Sequence, residues 1–305
     1  MHNEEKYFNL RINHKYKNQT LEEVFKMFCL SKQKSNYLFA NSCCFVNGEI
    51  ASKDTIVKLG DYLMVDVTNF EQIDYIPEAK PIKVLYEDDY LIIVEKPSGY
   101  IIYPDSNDKT GTMANIIAGY FEKTSQNNSI RHCHRLDTET SGCLVYAKDI
   151  FTHAKLSKMF EEKTVEKTYL TIVEGLAKNT ETITIGIGKD RHNSKKMVAT
   201  QNGQSAYTKY KLLKTNNFYS FLKVNIKTGR THQIRVHLSS KKLPIYGDKL
   251  YGSTKTSRIL LHCYSLKFEH PITSKDMTIV SKLPRDFEKI LKKELLTCDL
   301  KQILL

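Results

Sequence analysis

The sequence predicts a two-domain α+β protein. Three observations carry that reading. Residues 20–30, TLEEVFKMFCL, place Leu21, Val24, Phe25, Phe28 and Cys29 at helical spacing, and short strands around an Asn47-Gly48 turn follow. Pro77 and Pro81 bracket the polar stretch PEAKP. From Val84 onward, strand patterns and amphipathic helices alternate through the rest of the 305 residues. The predicted organisation is a small unit over 1–76, a linker over 77–82 and a larger unit over 83–305.

In the first unit, Thr20 is the expected N-cap of its helix, with Glu23 completing a capping box. A second helix is expected around Lys34–Asn41, then a strand, the Asn47-Gly48 turn and a second strand. Gly60-Asp61 marks a turn before a further strand. In the second unit YLIIVEKP reads as a strand that stops at a Lys96-Pro97 turn. GCLVYAKD reads as another, with a helix through Phe151–Lys163 after it. EKTYLTIVEG alternates and ends on Gly175. SAYTKYKLL and YSFLKVNIK form a hairpin about Asn216-Asn217. Thr231 is the expected N-cap of HQIRVHLSS. RILLHCYSLKFEHP and MTIVSKLP complete the sheet, and Pro284 opens the helix FEKILKKELL.

Composition narrows the function. Hydrophobic residues make up 41% and charged residues 26%, as in an ordinary globular chain. No apolar run approaches a membrane span and the N-terminus MHNEEKYFNL lacks an apolar core, so a cytoplasmic protein without membrane attachment is expected. The seven cysteines are odd in number and form no CxxC pair, which argues for buried reduced thiols. Net charge is +12. Residues 1–80 hold 10 Lys/Arg and 11 Asp/Glu, so the basic excess belongs entirely to the second unit, and a polyanion is the expected partner.

Three clusters could carry chemistry: HCHRLDTETSG over 132–142, TGRTHQIRVH over 228–237, and the pair Lys167 and Tyr169. Metal binding is not expected. His132 and His134 supply two ligands where three or four must converge, and His232 and His237 fall on different helical faces. Ser141-Gly142 is not embedded in a GxSxG elbow, so a hydrolytic triad is not expected either.

HRLDTETSG matches at every fixed position the HRLDxxTSG motif of the RluA family of pseudouridine synthases, and four other blocks follow the family order. YEDDYLIIVEKPSGYIIYP resembles the block before the catalytic loop. EKTYLTIVEG resembles KxYxAxVxG, with Thr171 where alanine is usual. TGRTHQIRVHLSSKKLPIYGDKLYG and LLHCYSLKFEHP resemble the last two blocks. The resemblance spans roughly residues 82–288. It implies a mixed, mainly antiparallel sheet with the active cleft across it, and isomerisation of uridine to pseudouridine in RNA with no cofactor. By resemblance Asp137 is the essential carboxylate, by attack on the sugar or by proton removal. Arg230 pairs with it, and Tyr169 stacks on the base and assists proton transfer. Arg135, His134, Leu260, Leu261 and Lys167 line the substrate site. Tyr103, where histidine is frequent, is expected at the pocket wall.

Residues 13–68 resemble the small RNA-binding domain of the ribosomal-protein-S-four type, most closely over VNGEIASKDTIVKLGDYLMVDV. With a net charge of −1 the first unit can offer RNA few phosphate contacts, through Lys32, Lys34 and Lys53. The expected substrate is structured RNA, ribosomal RNA ahead of tRNA, bound by a monomer. The rival readings are the same chemistry on tRNA and a non-catalytic RNA-binding assembly factor.

Overall fold

The computed structural model describes residues 5–71, 75–104 and 109–295. The first unit is β1 (Tyr7–Arg11), α1 (Leu21–Met27), α2 (Lys32–Ala40), β2 (Cys44–Val46), β3 (Glu49–Ile50) and β4 (Tyr62–Asp66). Its sheet is antiparallel in the order β1-β4-β2-β3. Local chemistry sets these elements. Thr20 Oγ1 accepts the Glu23 N–H and the Glu23 carboxylate accepts the Thr20 N–H, the expected capping box. Asn47 and Gly48 both have positive φ, as a two-residue hairpin turn requires. The second helix begins at Lys32 rather than Lys34, because Ser31 caps it.

The second unit runs β5 (Lys83–Glu87), β6 (Leu91–Lys96), α3 (Met113–Lys123), β7 (Arg131–His132), β8 (Ser141–Ala147), α4 (Ile150–Glu161) and β9 (Glu166–Glu174). It continues through β10 (Thr180–Ile183), β11 (Ile187–Lys189), β12 (Met197–Ala199), β13 (Thr208–Thr215), β14 (Tyr219–Ile226) and α5 (Gln233–Ser240). It closes with β15 (Leu261–Glu269), β16 (Asp276–Val280) and α6 (Arg285–Leu295). The main sheet has the order β10-β13-β14-β9-β15-β8-β6-β5, with β16 on β15 and β7 on β8. Every pairing given for it is antiparallel except β15 with β8. The architecture is therefore α+β with a large mixed, mainly antiparallel sheet.

The parallel contact at the sheet centre is close. Gly142 has φ +120° and a Cβ there would fall 2.2 Å from the Cys263 carbonyl oxygen. Only glycine lets the end of the HRLDTETSG loop cross β15 at this separation. β9 is buried on both faces instead of alternating, because it lies mid-sheet. Leu170, Ile172, Phe221 and Leu260 on one face pack against Phe287 and Leu291 of α6. Tyr169, Leu261 and Cys263 belong to the main core cluster instead.

The two units share a core. Phe8, Phe25 and Phe28 surround Phe151 of α4, with Phe8 and Phe151 stacked at 4.3 Å, and Ile150 and Ile272 join the same cluster. The proline-bracketed segment is no loose tether. Glu78 N–H donates to the Asn115 carbonyl at 3.0 Å, and its backbone crosses α3 where a Cβ on Gly119 would fall 2.2 Å from the Glu78 oxygen. The six described cysteines are free thiols; Cys298 and Leu296 lie outside the described residues. Among the described residues no helix is long and apolar enough to cross a membrane, and no His/Cys/Asp/Glu cluster could hold a metal ion.

Candidate active site

The loop from Cys133 to Thr140 leaves β7 and returns into β8. Three groups from the β6 end hold it. Lys96, fully buried, donates to the Thr138 carbonyl at 2.7 Å and the Pro97 carbonyl at 2.9 Å. Gly99 N–H donates to the same Thr138 oxygen, and Ser98 Oγ donates to the Glu139 carbonyl. Burial pulls the Lys96 ammonium down to about 7, opposed by the carboxylates of Glu139 and Asp137. At the other end Ser141 Oγ stands 2.9 Å from His262 Nδ1. His262 Nε2 faces the Ser281 carbonyl at 2.9 Å, so it carries the proton and Nδ1 accepts from the serine. Burial lowers the His262 pKa to about 4, so the ring is a neutral strut.

Asp137 lies in a cleft lined also by Arg135, Thr140, Tyr169, Leu261, and the turn Gly229–Ile234. Its Oδ2 stands 3.6 Å from Nη1 of Arg235. Arg235 is buried and bound bidentately to Asp248, with Nε to Oδ2 at 2.7 Å and Nη2 to Oδ1 at 3.0 Å. The Tyr251 ring lies 5.0 Å from its guanidinium carbon. Arg235 thus serves two carboxylates. Asp248 takes the two short bonds that fix its plane. Asp137 is near enough to feel the charge and too far for a hydrogen bond, which leaves its lone pairs for substrate.

The pairing of Arg230 with Asp137 is corrected by this geometry. Arg230 lines the cleft, but its side chain is exposed and its Nε donates to the Ser205 carbonyl at 3.1 Å. The helix starts one residue later than expected, after His232 in left-handed conformation (φ 54°), and Thr231 does not cap it. Gln233 instead ties the preceding turn to β13. Its Oε1 accepts from Arg230 N–H and Thr228 Oγ1, and its Nε2 donates to the Tyr207 carbonyl and Thr208 Oγ1. This kinked entry turns Arg230 out and carries Arg235 in.

The other predicted residues divide. Arg135 is exposed and lines the cleft. Tyr169 is 5% exposed; burial, then Cys263, pushes its phenol well above the usual range, so it stays protonated at neutral pH. It therefore offers a ring surface rather than a phenolate base. Leu261 lines the cleft, while Leu260 packs against the α6 side of the sheet. Strand alternation separates them. His134 does not line the cleft. Its Nε2 accepts the Val145 N–H at 3.2 Å and its ring stacks on Phe160 at 4.8 Å. Burial, then Lys167, lowers its pKa to about 3. Lys167 is buried behind Gly229, its Nζ 5.7 Å from the Phe160 ring centre. Both act on the loop's scaffold. Tyr103 stacks on His132 at 4.2 Å and is not part of the cleft wall. Arg235, Asp248 and Lys96 stand around the candidate site without having been singled out from the sequence; the two arginines of GRTHQIR were the signal available for the first.

A carboxylate beside a shared guanidinium, walled by a tyrosine and a leucine, suits an enzyme that works on a flat base at its sugar bond. Residues 90–240 match the family described as RNA pseudouridylate synthase. An uncharacterised RNA pseudouridine synthase of Bacillus subtilis is 37% identical over 250 residues, covering 80% of this chain and 83% of that protein. Ribosomal large subunit pseudouridine synthase D of Nitrosomonas europaea is 34% identical over 226 residues, covering 70% of this chain and 66% of that one. The solved structure of human RNA pseudouridylate synthase domain containing 1 has the same fold, with a TM-score of 0.60 at 22% identity over 74% of this chain and 94% of that one. The chain belongs to the RluA family of RNA pseudouridine synthases, isomerases that convert uridine in RNA to pseudouridine.

Proposed function

We propose that this enzyme modifies uridines in ribosomal RNA, with Asp137 as the reacting carboxylate. The observation that carries the site assignment is the Asp137–Arg235 approach of 3.6 Å in a cleft walled by Tyr169 and Leu261. A target uridine must leave its stack to reach Asp137, at a cost of about a few kcal/mol, so loops and junctions of folded RNA are the favoured substrates. The base then lies against Tyr169 and Leu261. Asp137 acts at the glycosidic bond while Arg235 balances its charge, and Arg135 at the mouth meets backbone phosphate. Isomerisation needs no external electron carrier, and the residues that act are the chain's own. The first unit orients the cleft on its RNA, and the enzyme works in the cytoplasm as a monomer. Relatives named for the ribosomal large subunit support ribosomal RNA over tRNA. The test is to map pseudouridines in total RNA from cells with and without this protein. Sites lost from ribosomal RNA support the proposal; sites lost from tRNA alone redirect it.

A further inference from the structure

The catalytic cleft accounts for Arg135 and the loop around Asp137, but a second crevice opens where the two units meet. It is lined by Phe70 of the first unit and by Ser129, Arg131, His132 and His153 of the second, and encloses about 410 Å³. No acidic residue is among its described lining residues. Ser129 is 2% exposed and its Oγ has no hydrogen-bond partner. Arg131 donates through Nη2 to the Phe70 carbonyl, while its buried Nε is unpartnered, 3.6 Å from Glu71 Oε2. Burial raises the Glu71 carboxyl to about 8 against the pull of Arg131, so near neutral pH it offsets the guanidinium only in part. Asp149 adds one more distant carboxylate, caught in the cap of α4. Lys34 of α2 stands 5.9 Å from the Phe70 ring centre, and burial together with Arg131 lowers its pKa against the opposing pull of Glu71. Two cations are thus held close together and partly desolvated, beside an orphaned hydroxyl. Each of these costs free energy unless an anion with acceptor oxygens sits among them.

The anion that fits is attached to a flat base. Phe70 offers an aromatic face, and His132 offers a second, its ring backed by Tyr103 at 4.2 Å. Burial lowers the pKa of both imidazoles, His153 to about 4, so near neutral pH they contribute stacking and hydrogen bonds rather than charge. A positive groove interleaved with ring faces is how single-stranded nucleic acid is held without sequence readout. The crevice also joins the active site through the chain. Arg131 and His132 form β7, and Asp137 lies six residues beyond Arg131, at most about 20 Å along an extended chain.

We infer that this inter-unit crevice binds a nucleotide of the RNA strand a short distance from the target uridine, with its phosphodiester between Lys34, Arg131 and Ser129 and its base against Phe70 and His132. The inference rests on the reading of the enzyme as one that acts on RNA. It makes the weakly charged first unit one wall of an RNA site rather than a separate RNA-binding module.

The test uses the full chain carrying Asp137→Asn, so that binding is read without turnover. Binding of a folded ribosomal RNA fragment is titrated against salt for this chain and for versions that add Lys34→Gln, Arg131→Lys or, as a charge-matched control on α6, Lys289→Gln. Lys34 is half-buried on a helix surface, so its replacement leaves the fold intact, and thermal melts check this. Lys34→Gln should weaken binding about three- to tenfold and reduce the slope of log Kd on log salt by about 0.7. Arg131→Lys should weaken it comparably, and Lys289→Gln should do neither. Equal effects from Lys34→Gln and Lys289→Gln would overturn the inference. So would saturable binding of uridine monophosphate alone that Lys34→Gln abolishes while leaving RNA affinity untouched, because the crevice would then serve a free nucleotide. Turnover by the chain with Asp137 intact is measured separately. Its absence would defeat the assigned chemistry and leave the binding comparison to decide the crevice.

Discussion

Asp137 and Arg235 meet across two segments that the sequence separates by 98 positions, and Asp248 makes the meeting rigid. Asp248 is fully buried, so Arg235→Ala strands its charge. That should cost about 3–5 kcal/mol and lower the melting temperature by about 10 °C, with activity lost. Arg230→Ala should melt within about 0.5 kcal/mol of the wild type, because its side chain is solvent-exposed. Parallel thermal unfolding of the two variants checks this; the reverse order would mean that Arg230 is the buried partner. The placement of Asp137 in a cleft-lining loop was legible in the sequence because its whole motif is contiguous. The choice between Arg230 and Arg235 was not, since it depends on the left-handed turn at His232 and on Asp248, which lies 13 residues beyond Arg235. Leu260 and Leu261 pose the same problem. Adjacent residues on a strand point to opposite faces, and the face is set by pairing with β9, where Cys263 lies opposite Tyr169.

Among the elements, the strands β2–β4, β6, β8, β9 and β13–β16 followed from apolar patterning and turn chemistry, and α1 from its capping box, whereas the short strands β1, β5, β7 and β10–β12 and the helix α3 were not read from the sequence. Three starts moved for local reasons: Ser31 caps α2, Asp149 caps α4 so that it begins at Ile150, and His232 displaces the start of α5. The junction of α4 with the first unit was not legible, because its ionisable groups come from distant parts of the chain. Glu71 Oε1 accepts the Ile150 N–H at 2.7 Å, and burial raises its carboxyl from an ordinary 4.5 to about 8. Between those values the folded chain holds more protons than the unfolded one, so this group's contribution to stability falls as pH rises from about 4.5 to about 8. Glu71→Gln keeps the acceptor and removes the titration. Relative to wild type, the Glu71→Gln chain should gain melting temperature progressively across that window. A constant difference from pH 5 to pH 9 would show that Glu71 is not buried as described.

At the scale of the molecule, the change of pattern after PEAKP correctly announced a second sheet, but proline spacing says nothing about whether two units touch. They touch through Phe8, Phe25 and Phe28 around Phe151. Removing residues 1–80 would bare Ile150, Phe151 and Ile272, each contributing about 1.5–3 kcal/mol by its burial, and would strip Glu78 from Gly119 of α3. The remaining 81–305 should therefore melt lower than the full chain and bind a hydrophobic dye. An unchanged melt without dye binding would show that the two units are independent. The +12 net charge also takes its meaning at this scale. Residues 1–80 carry almost no net charge, so the bulk of phosphate neutralisation belongs to the rest of the chain.

The central claim is that Asp137 performs the isomerisation. Its most direct test is pseudouridine formation by purified Asp137→Asn protein on a ribosomal RNA that the wild type modifies, at enzyme excess. Asparagine keeps the shape of the loop and removes the carboxylate, so the variant should bind this RNA as the wild type does and form product at least about 10⁴-fold more slowly. Product formation within tenfold of the wild-type rate would contradict the account.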